Sequence, residues 1–220
     1  MKYTFNFRDI WANSGALFGG ILVTLMLSGM TMISGLVSGI VGAISLVYGP
    51  RWLKVIVGTY VEVIRNTPLI VQLFIVFFGL PGLGLRLDAM TAALIALGIN
   101  LGAYATEIIR AGLEAIPKTQ IEAGHSLGLS GPQVLRHIVL VPAIRVVYPS
   151  LTSQFVLLML ATSIVSQIST PDLFHVASVI QSRTFRDFEI YAVVAGIYLM
   201  LALAFKLAFV GIGQLAFGRR

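Results

Sequence analysis

The chain has 220 residues, 57% of them hydrophobic and 11% charged, with a formal net charge of +6 and no cysteine. Soluble domains carry about 25% charged residues, so a mean hydropathy of +0.93 excludes a water-soluble fold and points to a bilayer. Disulfides and thiolate metal ligands are also excluded.

In chain order, residues 1–14 place Lys2 and Arg8 ahead of an apolar run and read as an N-terminal interfacial segment. A secretory signal has an apolar core of about 7–15 residues. The run here, Ile10 to Pro50, is uncharged over 41 residues. Its Gly49-Pro50 breaker lies at the end, and one long helix is predicted. The uncharged runs Asn66–Leu85, Ala89–Thr106, Val146–Pro171 and Ile190–Phe205 each approach the roughly 20 residues that cross a hydrocarbon core, the last extended by snorkelling of Lys206. The expected fold is an all-α membrane protein with five transmembrane helices in a single domain over residues 1–220. A ladder of small residues, Gly35, Gly39 and Ala43 with Gly15 and Gly19, lets the first helix pack closely on a neighbour, and a contact inside the chain is expected.

Basic residues orient the five spans. With the long loop of about residues 112–145 inside, the inner side holds Arg51, Lys54, Arg65, Arg110, Lys118, Arg136, Arg145, Arg219 and Arg220, against Lys2, Arg8, Arg86, Arg183 and Arg186 outside. The positive-inside rule then puts the N-terminus outside and the C-terminus in the cytoplasm. The pI of about 9.9 reports this topology and not a nucleic-acid partner, since the basic residues flank spans and form no stripe interleaved with aromatics.

The loop itself carries two helix-start patterns, Thr119-Gln120-Ile121-Glu122 and Ser130-Gly131-Pro132-Gln133, each a hydroxyl followed three residues later by Glu or Gln as in a capping box. Gly128 between them can take the left-handed turn that ends a helix. A short helix, a hinge and a second short helix are predicted on the cytoplasmic side.

No catalytic residue is assigned. The chain lacks G-x-x-x-x-G-K-[ST], H-E-x-x-H and G-x-S-x-G, so neither P-loop nucleotide binding nor zincin or nucleophile-elbow chemistry is expected. His125, His137 and His175 read as scattered loop histidines, with no metal site. The uncharged runs contain no Asp, Glu, Lys or Arg, which argues against ion coupling by this chain alone.

Glu122-Ala123-Gly124-His125-Ser126-Leu127-Gly128, followed by Ile138, Leu140 and Pro142, resembles the EAA loop of ABC-importer permeases, whose pattern is E-A-A, three residues, G, nine residues, I-x-L-P. Gly124 stands where alanine is usual, and Pro142 comes one residue late. Arg65-Asn66-Thr67-Pro68-Leu69 resembles the family's R-G-T-P-L block, and Gly102-Ala103-Tyr104 with Glu107 and Arg110 its G-A-Y-x-x-E-x-x-R block. Each also has a purely structural reading: Thr67-Pro68 as an N-cap and N1 pair, Glu107 and Arg110 as a pair on one helix face. Together they resemble the polar amino-acid importers of the histidine, glutamine and arginine type, over about Arg51 to the C-terminus.

The resemblance implies the type I ABC-importer permease architecture with a helical cytoplasmic coupling loop, in a bacterial cytoplasmic membrane. It implies a second permease subunit, two ATPase subunits that bind ATP and Mg in place of any cofactor here, and a periplasmic or extracellular amino-acid-binding protein. Glu122, Ala123, Gly124, Leu127 and Gly128 become the ATPase-coupling residues. Gln72, Asn100, Tyr104, Thr162, Ser163, Ser166 and Gln167 become the polar candidates for the substrate pathway. Where the family often reads K-D-T-S-L at the start of its fourth span, this chain reads Leu160-Ala161-Thr162-Ser163-Ile164. The missing charges favour a heterodimer whose partner holds the stronger site. The alternatives are an ATP-independent channel or secondary transporter for small polar solutes, and an intramembrane enzyme, for which no paired carboxylates are seen in the spans.

Overall fold

The computed structural model describes residues 4–218, nearly all of them helical. Lys2, Arg219 and Arg220, counted above for topology, lie outside the described residues. A short helix α1 (Arg8–Ala12) precedes α2 (Ser14–Tyr48). Asn13 separates them, its side-chain amide donating to Asp9 O at 2.7 Å. The 41-residue run thus holds one long helix, as expected.

The α2 helix packs along α5 (Ala89–Glu114), and the small residues explain how closely. A Cβ added at Gly35 would lie 2.6 Å from the Leu101 side chain, at Gly39 2.4 Å from Ala105 Cβ, and at Gly42 2.3 Å from Thr106 Oγ1. In a membrane such packing is driven by van der Waals contact and not by water exclusion. Gly15 and Gly19 meet nothing within 4 Å and do not belong to this seam.

Residues between the first two apolar runs form α3 (Arg51–Arg65), an amphipathic helix that the sequence reading did not anticipate. It meets the next helical stretch, Leu69–Leu83, at 109°. That stretch comprises α4 (Leu69–Phe74), a π turn at Ile75–Gly79 and a 3₁₀ turn at Leu80–Leu83. At about 22 Å by helical rise it is short for a full crossing. Thr67 does not cap α4 as expected: Pro68 holds that position, and the Thr67 hydroxyl instead donates to Val63 O at 2.8 Å, closing the end of α3. Among the described residues, four helices are long and apolar enough to cross a membrane, with a fifth crossing when the bent pair is counted as one.

Two spans run further than their uncharged cores. The α5 helix continues past Thr106 to Glu114 because Arg110 pairs with Glu107 and Glu114 at helical spacing. Beyond the loop, α7 (Gly131–Val134), a π turn (Leu135–Val139), α8 (Leu140–Ala161) and a 3₁₀ tail (Thr162–Ile168) make one nearly continuous stretch. The tail ends at Ser169, φ +61°. A further unanticipated helix, α9 (Leu173–Thr184), returns against α2, with Leu173 Cα only 2.9 Å from where a Gly20 Cβ would stand. Asp172 caps α9, accepting from His175 N–H at 2.9 Å and Phe174 N–H at 3.3 Å.

The last helix, α10, runs Asp187–Phe217. Lys206 is therefore well inside it and not near its end, and Glu107, Arg110 and Lys206 all lie in spanning helices that the uncharged runs had suggested were free of charge. At the other end, buried Glu189 accepts from Asn6 N–H at 3.0 Å, while Arg186 Nη1 donates to Thr4 O at 3.0 Å. These bonds clasp the N-terminal segment onto α10.

Candidate functional site

The loop between α5 and α8 folds into α6 (Lys118–Ser126) and α7. Only one of the two expected capping boxes forms. At Ser130, Gln133 Oε1 accepts from the backbone N–H at 2.8 Å and from the hydroxyl at 2.9 Å. At the other, Pro117 takes the cap position, so Thr119 already sits in the first turn of α6. Proline's fixed φ and missing N–H suit a helix entry and move the start two residues earlier than the Thr-Glu pattern suggests.

Gly128 does what its type allows, with φ +79°. Its N–H reaches His125 O at 2.9 Å, and Leu129 N–H reaches Gly124 O at 3.1 Å, the two bonds of a Schellman motif. The α6 helix is thereby sealed and turned sharply into α7. Gly124 is buried where a Cβ would come within 2.4 Å of Ile138 Cδ1 and 3.1 Å of Val134 Cγ2. An alanine methyl there would need the Ile138 side-chain end to move aside, so glycine lets Ile138 pack directly on α6.

An apolar cluster of Ile116, Val134, Val139 and Ala143, flanked by Leu113, Ile121, Leu129 and Ile138, joins α6 and α7 to the ends of α5 and α8. Glu122, Ala123 and Leu127 stay exposed, Leu127 at 81%. The loop is thus a rigid knob: apolar inside, bare on its outer face, and bonded to two spans.

The pathway candidates fall into two groups. Asn100 Nδ2 donates to Gln72 Oε1 at 3.0 Å, joining α5 to α4. The Gln72 amide in turn donates to Ile64 O at 2.8 Å, Thr67 Oγ1 at 2.9 Å and Thr67 O at 3.1 Å, pinning the α3–α4 bend. Tyr104, one turn along α5 from Asn100, lies under Arg65, whose guanidinium carbon is 5.6 Å from the ring centroid. Sequence reasoning had placed Arg65 in the topology count and in the R-G-T-P-L-like block, but not among the pathway candidates.

The second group lies on the 3₁₀ tail of α8, which packs against α4. Thr162 is fully buried, its hydroxyl donating to Met159 O at 2.7 Å. Ser163 and Ser166 turn their hydroxyls onto Leu160 O at 2.8 Å and Ser163 O at 2.7 Å, and Gln167 is exposed. Nearby, buried Asp172 accepts from the Tyr198 hydroxyl at 3.3 Å. Desolvation raises the Asp172 carboxyl to about 6, against the lowering effect of its cap hydrogen bonds. Asp88, which caps α5, is held below the ordinary carboxylate range by the Thr91 hydroxyl and N–H.

Residues 33–212 match the family of binding-protein-dependent transport system inner membrane components. The chain is 38% identical over 192 residues to an L-cystine transport system permease protein, TcyB, of Bacillus subtilis, covering 87% of this chain and 82% of that protein. It is 34% identical over 201 residues to the glutamine transport system permease protein GlnP of Escherichia coli K12, covering 90% and 92%. Among solved structures, an amino acid ABC transporter crystallised with histidines superposes with a TM-score of 0.90 at 34% identity, over 96% of this chain and 99% of that one. The MetNI methionine ABC transporter shares the fold, at a TM-score of 0.79 and 18% identity. A helical knob welded to two spans, a run of apolar helices and a match over most of the length converge: the chain belongs to the family of binding-protein-dependent transport system inner membrane components.

Proposed function

We propose that this chain is one membrane-spanning subunit of an ATP-driven importer of polar amino acids. It forms the pathway with a second, non-identical permease and works with two ATPase subunits and an external amino-acid-binding protein. The observation that carries the reading is the sealed α6–α7 knob. Its exposed residues Glu122, Ala123 and Leu127 dock in a cleft of the ATPase, and Gly124 and Gly128 give it close packing and a sharp exit. ATP and Mg are bound by that partner and not by this chain. Because the knob shares one apolar cluster with α5 and α8, closure of the ATPases moves those helices as a rigid body, opening the pathway to alternate sides. The N-terminus faces outside and the C-terminus the cytoplasm of a bacterium.

In the pathway, Gln72, Asn100 and Tyr104 supply the polar surface on one side, and Ser163, Ser166 and Gln167 on the other. Thr162 supports them from beneath. Copurification followed by uptake into proteoliposomes tests the whole: amino-acid uptake is expected only with ATP, ATPase and binding protein together, and Glu122→Ala is expected to lower it. Full uptake by this chain without the ATPase would establish a channel or secondary transporter instead.

A further inference from the structure

We propose that a cavity between α2 and α10 holds an acyl chain of an anionic phospholipid, whose phosphate lies against Arg145 and Lys54. The cavity measures about 470 Å³, within the range of pockets that take a small ligand. Leu36, Ile40, Ile44 and Tyr48, one face of α2 at a spacing of four, make one wall, and Phe209 and Ile212 of α10 make the other. The floor is α5 and α8. On α5, the lining residues Ile109 and Leu113 stand about 140° to 180° around the helix from Asn100 and Tyr104. The cavity therefore opens on the face opposite the polar pathway candidates.

Chemistry and length select the occupant. No lining residue is charged, and the Tyr148 and Thr152 hydroxyls are engaged, donating to Phe209 O at 2.6 Å and Pro149 O at 2.9 Å. A polar solute would find little there to replace its water, whereas a hydrocarbon chain needs no partner. From Leu36 to Tyr48 the wall runs about 18 Å, close to half of a hydrocarbon core of about 30 Å. Its inner end is closed, because Leu36, Leu151, Phe155 and Phe209 belong to the central apolar core. A helix of another subunit crossing the whole core is too long for it, and the chain of one leaflet fits. Ile44 and Ile212, 49% and 52% exposed, leave the flank open to lipid.

Positive charge gathers at the other end. The Tyr148 ring stands 5.4 Å from the Phe217 ring, and the Arg145 guanidinium carbon lies 5.8 Å from that same ring, which puts Arg145 at the α8–α10 corner of the mouth. By the α2 wall, Lys54 Nζ donates to Val47 O at 2.9 Å, next to Tyr48, and keeps two donors free. Among the described residues neither cation has a carboxylate partner, and Glu114 at the end of α5 is bound to Arg110. Basic pockets between helices at a membrane surface bind anionic headgroups. Leu113 and Ala143 line the cavity and also belong to the apolar cluster of the knob, so the bound chain touches the root of that loop.

Native mass spectrometry of the permease, purified with the subunits that accompany it, reads the site. The probes are phosphatidylglycerol and phosphatidylcholine with identical acyl chains. Binding is read without transport, so its outcome is independent of the importer reading. The wild type is expected to bind phosphatidylglycerol about tenfold more tightly than phosphatidylcholine, and Arg145→Gln to lose about fivefold for phosphatidylglycerol alone. Ile44→Trp, which fills the cavity, is expected to lose both lipids. Ile33→Trp, on α2 outside the cavity and 69% exposed in the wild type, is expected to change neither. Should Ile44→Trp fail to assemble, Ile212→Trp fills the cavity from the other wall and is read in the same way. Equal binding of the two lipids by the wild type, or lipid retained by the cavity-filling variants, overturns the proposal. So does an equal loss in Ile33→Trp, which would show a lipid belonging to the general annulus only. A disulfide formed between a cysteine at Ile44 and one on an accompanying subunit would put a protein helix in the cavity and overturn it as well.

Discussion

At residue scale, Gly128 and Asp172 make the sharpest demands on residue type. A β-branched side chain in the left-handed region costs on the order of 1–2 kcal/mol, and the two Schellman bonds depend on that conformation. Gly128→Val is expected to leave membrane insertion intact and abolish ATP-driven uptake, measured in the same vesicles by protease protection and substrate accumulation. Asp172 carries a pH dependence. Its folded carboxyl titrates near 6, above an unfolded value near 3.9, so the folded protein holds the proton more tightly than the unfolded chain does. The stabilisation is fully present below about pH 4 and is lost as pH rises through about 6. Asp172→Asn keeps a cap acceptor, and thermal unfolding between pH 4 and 7 is expected to show a decline in the wild type that this variant lacks.

At the scale of elements, the α2–α5 seam has no slack. Gly39→Leu is expected to push α2 from α5 and lower the unfolding temperature of the purified complex, whereas Gly15→Leu, with nothing within 4 Å, is expected to leave it unchanged. The seam was legible because small residues at spacing four are a local pattern. The long apolar runs were legible for the same reason. Hidden from that view were α3 and α9, whose charges break hydropathy into short pieces: Arg51, Lys54, Glu62 and Arg65 in one, His175 and Arg183 in the other. The fold of the α6–α7 loop could be read almost residue by residue, except that Pro117 preempted Thr119 as the cap. The polar candidates for a pathway could be read only as a roster. That Asn100 meets Gln72, and that Tyr104 underlies Arg65, follows from the 109° bend, which brings together residues far apart in the chain.

For the whole molecule, the bent pair counted as one span gives five crossings, which is expected to put the termini on opposite sides, and cysteine labelling checks it. With an impermeant reagent in intact cells, cysteines at Ser14 and Ser182, both exposed, are expected to label, and one at Ser130 is not. Labelling of Ser182 without Ser14 would add a crossing. The second permease is expected to be a different chain. Complexes assembled from this permease and the ATPase alone should therefore transport well below the rate of complexes that contain both permeases.

Lys206 bears on how such a molecule is made. The Arg145 guanidinium lies 5.8 Å from the Phe217 ring, which sets the charged end of α8 level with the end of α10. Lys206 is then about 16 Å up the helix from that end, in the interior of α10, beside a groove of about 540 Å³ that includes Thr152 and Ser153. A lysine at a helix centre opposes entry into lipid by about 2.5–3.5 kcal/mol. During synthesis α10 leaves the ribosome after α8, so the hydroxyls of α8 are already in place to receive it. In a glycosylation-mapping assay, α10 fused alone to a carrier should insert better as Lys206→Leu than as wild type. That difference should shrink when α8 precedes it, making the entry of α10 depend on a helix made before it.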